Sequence, residues 1–139
     1  MPVVLGHESA GVVEQVGSDV SYVKPGDHVI TCLSVFCGHC EHCLSGHMSR
    51  CSSPETRHRR DEPARLTKDD QSLFQFANLS SFAEQMLIHE HGLLKIREDM
   101  PLDRAALIGC AVTTGVGSLT TSGDDNNVTG LLPRLALQV

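Results

Sequence analysis

The sequence predicts a mainly β domain with a minor helical part. Three observations lead there. Residues 1–36 hold short, Val-rich apolar runs separated by Gly and Pro turns, residues 37–51 crowd four cysteines into one loop, and a helical pattern is confined to residues 100–119. At 139 residues the chain is about the size of one domain. A chain of that length can bury roughly 68% of its unfolded surface, so it need not depend on staples to fold.

The elements follow in order. "SAGVVEQV" (9–16) roughly alternates and is rich in Val, as a strand requires. Gly17-Ser18-Asp19 turns the chain, and Val20, Tyr22 and Val23 read as a short strand or connection. "KPGD" (24–27) is a turn: proline fixes φ at the first corner and glycine accepts the positive φ of a type II turn at the second. "HVITCLSVF" (28–36) is a largely apolar strand, and "FCGHCEHCLSGHMSRC" (36–51) is the cysteine loop. Residues 52–72, polar and charged with Pro54 and Pro63, read as a surface excursion. A strand is expected from about Phe82 to Ile88, then a turn near Gly92 and a second strand at Leu93–Ile96. "MPLDRAALIGCAVTTGVGSL" (100–119) reads as helix, with Pro101 in the first turn, Asp103 at the positive helix end, and Ala105, Ala106, Leu107 and Ile108 for packing. Residues 120–139 read as an atypical tail, loop-like to 130, and no internal repeat is present.

Composition narrows the function. A formal net charge of −6 argues against a nucleic-acid partner, because phosphate binding needs a basic face. The basic run Arg57-His58-Arg59-Arg60 is followed by Asp61, Glu62, Asp69 and Asp70 and reads as a solvated loop. "MPVVLGHESAG" lacks a basic leader, and "LLPRLALQV" is far short of the roughly 20 apolar residues that span a bilayer. The expectation is a cytoplasmic protein with no membrane partner, in a compartment where clustered thiols mean metal more often than disulfide.

The loop spacing is C-x2-C-x2-C-x7-C, formed by Cys37, Cys40, Cys43 and Cys51. Four thiolates suit zinc, and a closed set of four leaves no position for substrate, so the site reads as structural. Such a site can contribute on the order of 10–16 kcal/mol of apparent binding free energy to folding. An iron–sulfur cluster fits less well, since the last gap is seven residues and Ser52 follows the final cysteine. His39, His42 and His47 could displace one thiolate, but read better as exposed loop residues. Elsewhere, Gly6-His7-Glu8 and Gly109-Cys110 are unremarkable taken singly.

Together, "GHESAGVVEQVGSDVSYVKPGDHVI", "CGHCEHC…C" and "LIGCAVTTGVGS" resemble the zinc-dependent medium-chain alcohol dehydrogenases, in that family's order, over residues 3–119. The resemblance implies a GroES-like domain over residues 1–119, a partly open β-barrel with a zinc lobe at about 36–52. It also implies two zincs. Cys37, Cys40, Cys43 and Cys51 would hold the structural one; His7 and Cys110, with Glu8 beside them, would hold the catalytic one, and Thr114 would pack near the nicotinamide of NAD(P). In the intact family zinc lowers the pKa of a bound alcohol, and a hydride passes to the nicotinamide, giving an aldehyde or ketone.

The same resemblance predicts departures. The family's first catalytic Cys would precede His7, and Cys32 reads as core rather than its substitute. Gly115 and Gly117 give a G-x-G, but Thr120 stands where the third glycine of a Rossmann turn would be, so no Rossmann domain is expected here. The expectation is the incomplete catalytic domain of an alcohol dehydrogenase, inactive alone. A non-catalytic, zinc-stabilised binding or relic module is the alternative. No residue pattern fixes an oligomeric state.

Overall fold

The computed structural model describes residues 2–56 and 62–122, with side chains described as far as residue 118. The basic run at 57–60 and the tail from 123 onward lie outside the described residues. The strands are β1 (Val3–Val4), β2 (Ala10–Val12), β3 (His28–Thr31), β4 (Leu66–Lys68), β5 (Gln71–Gln75) and β6 (Leu93–Lys95). The α-helices are α1 (Glu41–Leu44), α2 (Leu102–Ala105) and α3 (Ala111–Ser122), with short 3-10 turns between elements.

Val29, Ile30 and Thr31 are buried because β3 is the central strand of an antiparallel sheet ordered β2-β3-β6. Ala10 faces Ile30 across one edge, and Leu94 faces Ile30 across the other. The β2–β3 connection closes through Gly26, whose N–H donates to the Val13 carbonyl at 2.8 Å. Gly26 takes the positive φ of 92° that the "KPGD" reading requires. Asp27 accepts from the Lys24 N–H at 3.0 Å and pairs with Lys95 of β6 at 2.9 Å, tying the turn to the far strand.

A second sheet, ordered β1-β5-β4, is built on a hairpin in which Leu66 faces Leu73. Asp69 and Asp70 turn it with φ of 50° and 61°, the paired positive values of a type I′ turn. Strand β1 adds in parallel to β5, with Val3 opposite Phe74. Both sheets are open, and no closed barrel forms among the described residues. Apolar burial is concentrated at Val23, Val29, Ile30, Val35, Leu79 and Ala105.

The architecture is therefore mainly β with minor helices, as expected, but several elements differ. The strand expected over 9–16 shortens to Ala10–Val12, and that over 28–36 to His28–Thr31, because the chain leaves the sheet toward the cysteine loop. Residues 20–23 take the second of their two expected forms, a connection. Residues 82–88 are not a strand. Phe82 and Leu87 are 78% and 69% exposed, and the segment is held by the Phe82 N–H donating to the Leu5 carbonyl and by the Gln85 side-chain amide donating to Glu14 at 2.9 Å. Its apolar residues have no sheet edge to pair with, so β-propensity alone did not decide the outcome. The end of the 52–72 excursion instead folds into β4 and β5. The 100–119 helix is present but interrupted at Cys110, where φ is −138°.

Candidate metal centres

Leaving β3, the chain turns at Gly38 (φ 86°) and enters α1, which carries Cys43 and has Cys40 at its N-cap. Gly46 (φ 82°) reverses it, and a 3-10 turn at Met48–Arg50 delivers Cys51 back beside Cys37. The Sγ atoms of Cys40 and Cys43 lie 3.4 Å apart, those of Cys37 and Cys43 3.8 Å, and those of Cys40 and Cys51 3.9 Å. All four donors fall within 4.8 Å of one another. A tetrahedral zinc with Zn–S near 2.3 Å has S···S edges of about 3.8 Å, so the sulfurs already outline that polyhedron. They are well beyond the ~2.05 Å of a disulfide. The donor set fits zinc, in the closed arrangement of a structural site.

The backbone prepares the thiolates. The Cys37 N–H points at Cys51 Sγ at 3.4 Å, and the Cys40 N–H at Cys37 Sγ at 3.3 Å. The Ser53 and Cys37 N–H groups bring Cys51 down to about 6 although the residue is only 1% exposed. The Cys43 N–H lowers Cys40, whereas burial pushes Cys43 up to about 11. Cys51 is thus the sulfur most ready to be a thiolate before metal arrives. At the root of the lobe, Phe36 stacks on His91 with ring centroids 5.0 Å apart, and His91 Nδ1 donates to the Phe36 carbonyl at 2.8 Å. His39 and His47 are exposed and His42 half-buried. Cys32, expected in the core, is half-buried, lines a cavity of about 560 Å³ with Phe36, Met48 and His91, and joins neither donor cluster.

The second centre is assembled from the two ends of the domain. Gly6, at φ 97°, bends the chain after β1, and a Cβ there would collide with Ser81 Oγ and crowd the Phe82 nitrogen at 2.7 Å. That close approach aims His7 past Phe76, whose ring it meets edge-on at 5.9 Å. From the other end, Gly109 lies directly against the Thr31 carbonyl oxygen of β3, where a Cβ would not fit. The next residue, Cys110, is brought within 4.8 Å of the His7 and Glu8 donor atoms. Glu8 Oε1 accepts from the Ala111 N–H at 2.8 Å, so a carboxylate caps the positive end of α3. Thr114 Oγ1 lies 3.8 Å from Cys110 Sγ, and Thr113 Oγ1 donates to the Ile108 carbonyl at 2.6 Å. One imidazole, one thiol and one carboxylate, all half-buried, make a mixed donor set of the kind that binds zinc.

Residues 1–98 match the family model described as the alcohol dehydrogenase GroES-like domain. The chain belongs to the zinc-type medium-chain alcohol dehydrogenase family. It is 40% identical to the S-(hydroxymethyl)glutathione dehydrogenase of Escherichia coli O1:K1 over 139 aligned positions, covering 94% of this chain and 38% of that protein. It is 36% identical to the class-3 alcohol dehydrogenase of Oryza sativa subsp. japonica, covering 85% of this chain and 32% of that protein. Among solved structures it is similar to an alcohol dehydrogenase zinc-binding domain protein from Burkholderia ambifaria, with a TM-score of 0.75 and 35% identity over 88% of this chain and 34% of that one. The benzyl alcohol dehydrogenase of Acinetobacter calcoaceticus superposes with a TM-score of 0.68 at 31% identity, covering 86% of this chain and 33% of that one. The chain thus spans about a third of the length of these relatives.

The structure brings together every residue of both expected ligand sets. It adds contacts with no local signature: Phe76 against His7, Gly109 against Thr31, and the Glu8 cap on α3. Each joins segments far apart in the chain, so a sequence window cannot see it.

Proposed function

We propose that residues 1–119 supply the zinc-holding catalytic domain of an NAD(P)-linked alcohol dehydrogenase acting on a small alcohol or aldehyde. The observation that carries this reading is the meeting of His7, Glu8 and Cys110 at one point, with Glu8 and Ala111 hydrogen-bonded across 103 positions. A clasp of four thiols needs no such second cluster. In this reading Cys37, Cys40, Cys43 and Cys51 hold a structural zinc, and His7 and Cys110 supply an incomplete set of donors for a catalytic one. Glu8 fixes the His7 segment against α3, and Thr114 lies toward the nicotinamide. Zinc at the second centre would supply Lewis acidity that lowers the pKa of a substrate hydroxyl. The protein's part is to place the donors and hold α3 beside them.

The same reading holds that the chain assayed by itself does not turn over alcohols. Two N/S donors hold zinc weakly, and the sequence lacks a G-x-G-x-x-G turn to seat a dinucleotide. It also places the protein in the cytoplasm, in keeping with six free thiols. Among the described residues, no helix is long and apolar enough to cross a membrane.

The contrast between a complete clasp and a sparser second centre favours one alternative, a non-catalytic zinc-stabilised module. Zinc per chain, by elemental analysis of purified protein, tests the reading. About one zinc, lost in Cys40→Ser and retained in His7→Ala, is expected. Robust NAD(P)-linked alcohol oxidation by the chain alone would refute its inactivity, and absence of zinc would refute the clasp. A second zinc that survives both His7→Ala and Cys110→Ser would refute the catalytic assignment and leave the module.

A further inference from the structure

Among the described residues, a further cluster that borders the clasp brings metal-ligating atoms together: Cys37 Sγ, His39 and Glu55, all within 4.8 Å of one another. His39 Nε2 lies 3.2 Å from Glu55 Oε1, close to the roughly 3.4 Å edge of a tetrahedral zinc with N and O ligands near 2.1 Å. The two side chains are 69% and 52% exposed, whereas Cys51 of the clasp is 1% exposed. Cys37 belongs to both sets. We propose that Cys37, His39 and Glu55 form an outer zinc station that captures the hydrated ion and passes it to the four-thiol clasp through the shared Cys37 sulfur. The inference rests on the clasp reading.

The chemistry explains why such a station is useful. A hydrated divalent ion meeting the clasp directly must exchange several waters for sulfurs that are half-buried or, at Cys51, fully buried. An exposed imidazole and carboxylate exchange for water one at a time, and the carboxylate draws the cation electrostatically. A thiolate has lone pairs enough to touch both positions, so the ion need not be released between them. As each sulfur binds, any thiol proton it still carries leaves to solvent, so up to four protons are released per zinc bound. An ordinary surface ion pair between His39 and Glu55 would contribute little to stability and nothing to loading.

The test uses the full chain in a Cys110→Ser background, which silences the other cysteine centre. Metal-free protein is mixed with Co2+, and sulfur-to-cobalt charge-transfer absorption reports filling of the clasp. The double variant His39→Ala, Glu55→Gln is expected to fill about tenfold more slowly, the lower end of the effect of losing a supporting metal contact. Its final amplitude should equal that of the parent, and His47→Ala, an exposed lobe histidine outside the cluster, should fill at the parental rate. Equal rates for the double variant and the parent would overturn the inference, as would a lost amplitude in the double variant or slowing in His47→Ala. If the parent itself shows no thiolate–cobalt signal, the clasp reading fails and the inference with it.

Discussion

Replacing Gly109 with alanine adds a single methyl group at the point where the last helical segment touches the sheet. Two opposing effects can be weighed. Alanine in a helical segment is favoured over glycine by about 0.8–1.0 kcal/mol. Against this, the new Cβ falls inside contact distance of the Thr31 carbonyl oxygen, with the Thr31 carbonyl carbon at 3.4 Å. Thr31 cannot give way cheaply. It is 4% exposed in the central strand, its N–H is held by the Ser9 carbonyl at 3.0 Å, and its hydroxyl shares a hydrogen bond with Ser9 Oγ at 2.8 Å. Overpacking against such a site costs about 1–3 kcal/mol. Steric cost offsets and exceeds the propensity gain, which is weakened further because Gly109 lies in a 3-10 turn. A net loss of about 1–2 kcal/mol is expected, or a fall in melting temperature of roughly 3–8 °C for a chain of this size. Gly115→Ala is the matched control. It sits in α3 with nothing within 4 Å of the new Cβ, so it should gain about 0.5–1 kcal/mol. Thermal melts of the zinc-loaded proteins, followed by circular dichroism, read both. If Gly109→Ala melts at or above the parental temperature, the backbone approach that positions Cys110 is not as close as argued.

Other perturbations separate the roles of the remaining residues. Cys51→Ser should lower thermal stability far more than His7→Ala, because the clasp contributes to folding on the order of 10–16 kcal/mol of apparent binding free energy whereas the second centre does not; equal melting temperatures would count against the assignment. Chelation of zinc should lower the melting temperature of the parent and leave Cys51→Ser unmoved, which differential scanning fluorimetry can check. Glu8→Ala should destabilise by roughly 1 kcal/mol through loss of the carboxylate cap on α3, and Glu8→Gln, which keeps an acceptor oxygen, by less; an equal effect of the two, read by denaturant titration, would refute the cap. Acid should expose two further carboxylates. Lys95, then the Lys24 N–H, holds Asp27 below the usual carboxylate range, and the Tyr22 and Ser21 N–H groups do the same for Glu90. A lowered folded pKa means stability that is present above the unfolded value, near pH 4, and lost as pH falls through the folded one. Asp27→Asn should therefore reduce stability at neutral pH and flatten its decline below about pH 4, with urea midpoints across pH as the readout.

Local patterns carried much of the fold. The "KPGD" turn was legible because proline and glycine constrain φ wherever they occur, and Gly26 adopts the positive φ they imply. The cysteine spacing was legible because short gaps between donors confine them to one volume whatever surrounds them. The 82–88 segment departs from the expected strand for the opposite reason. Strand formation depends on a partner edge, and its residues find none. The β4–β5 hairpin lies partly within a polar stretch that masks its strand pattern, although Asp69-Asp70 tolerates the left-handed turn that closes it.

The sequence by itself determined the family, through its motifs, and the four-thiol clasp, whose ligands lie within fifteen residues. The motifs imply that His7, Glu8 and Cys110 share one site, but only the tertiary structure shows what brings their donor atoms together. That meeting depends on Gly6 packing under Ser81 and Gly109 packing on Thr31, contacts possible only where a missing side chain lets two backbones touch. A glycine in a sequence states that such freedom exists. Only the folded chain shows what fills the space, and here it is the backbone that carries His7, Glu8 and Cys110 to one another.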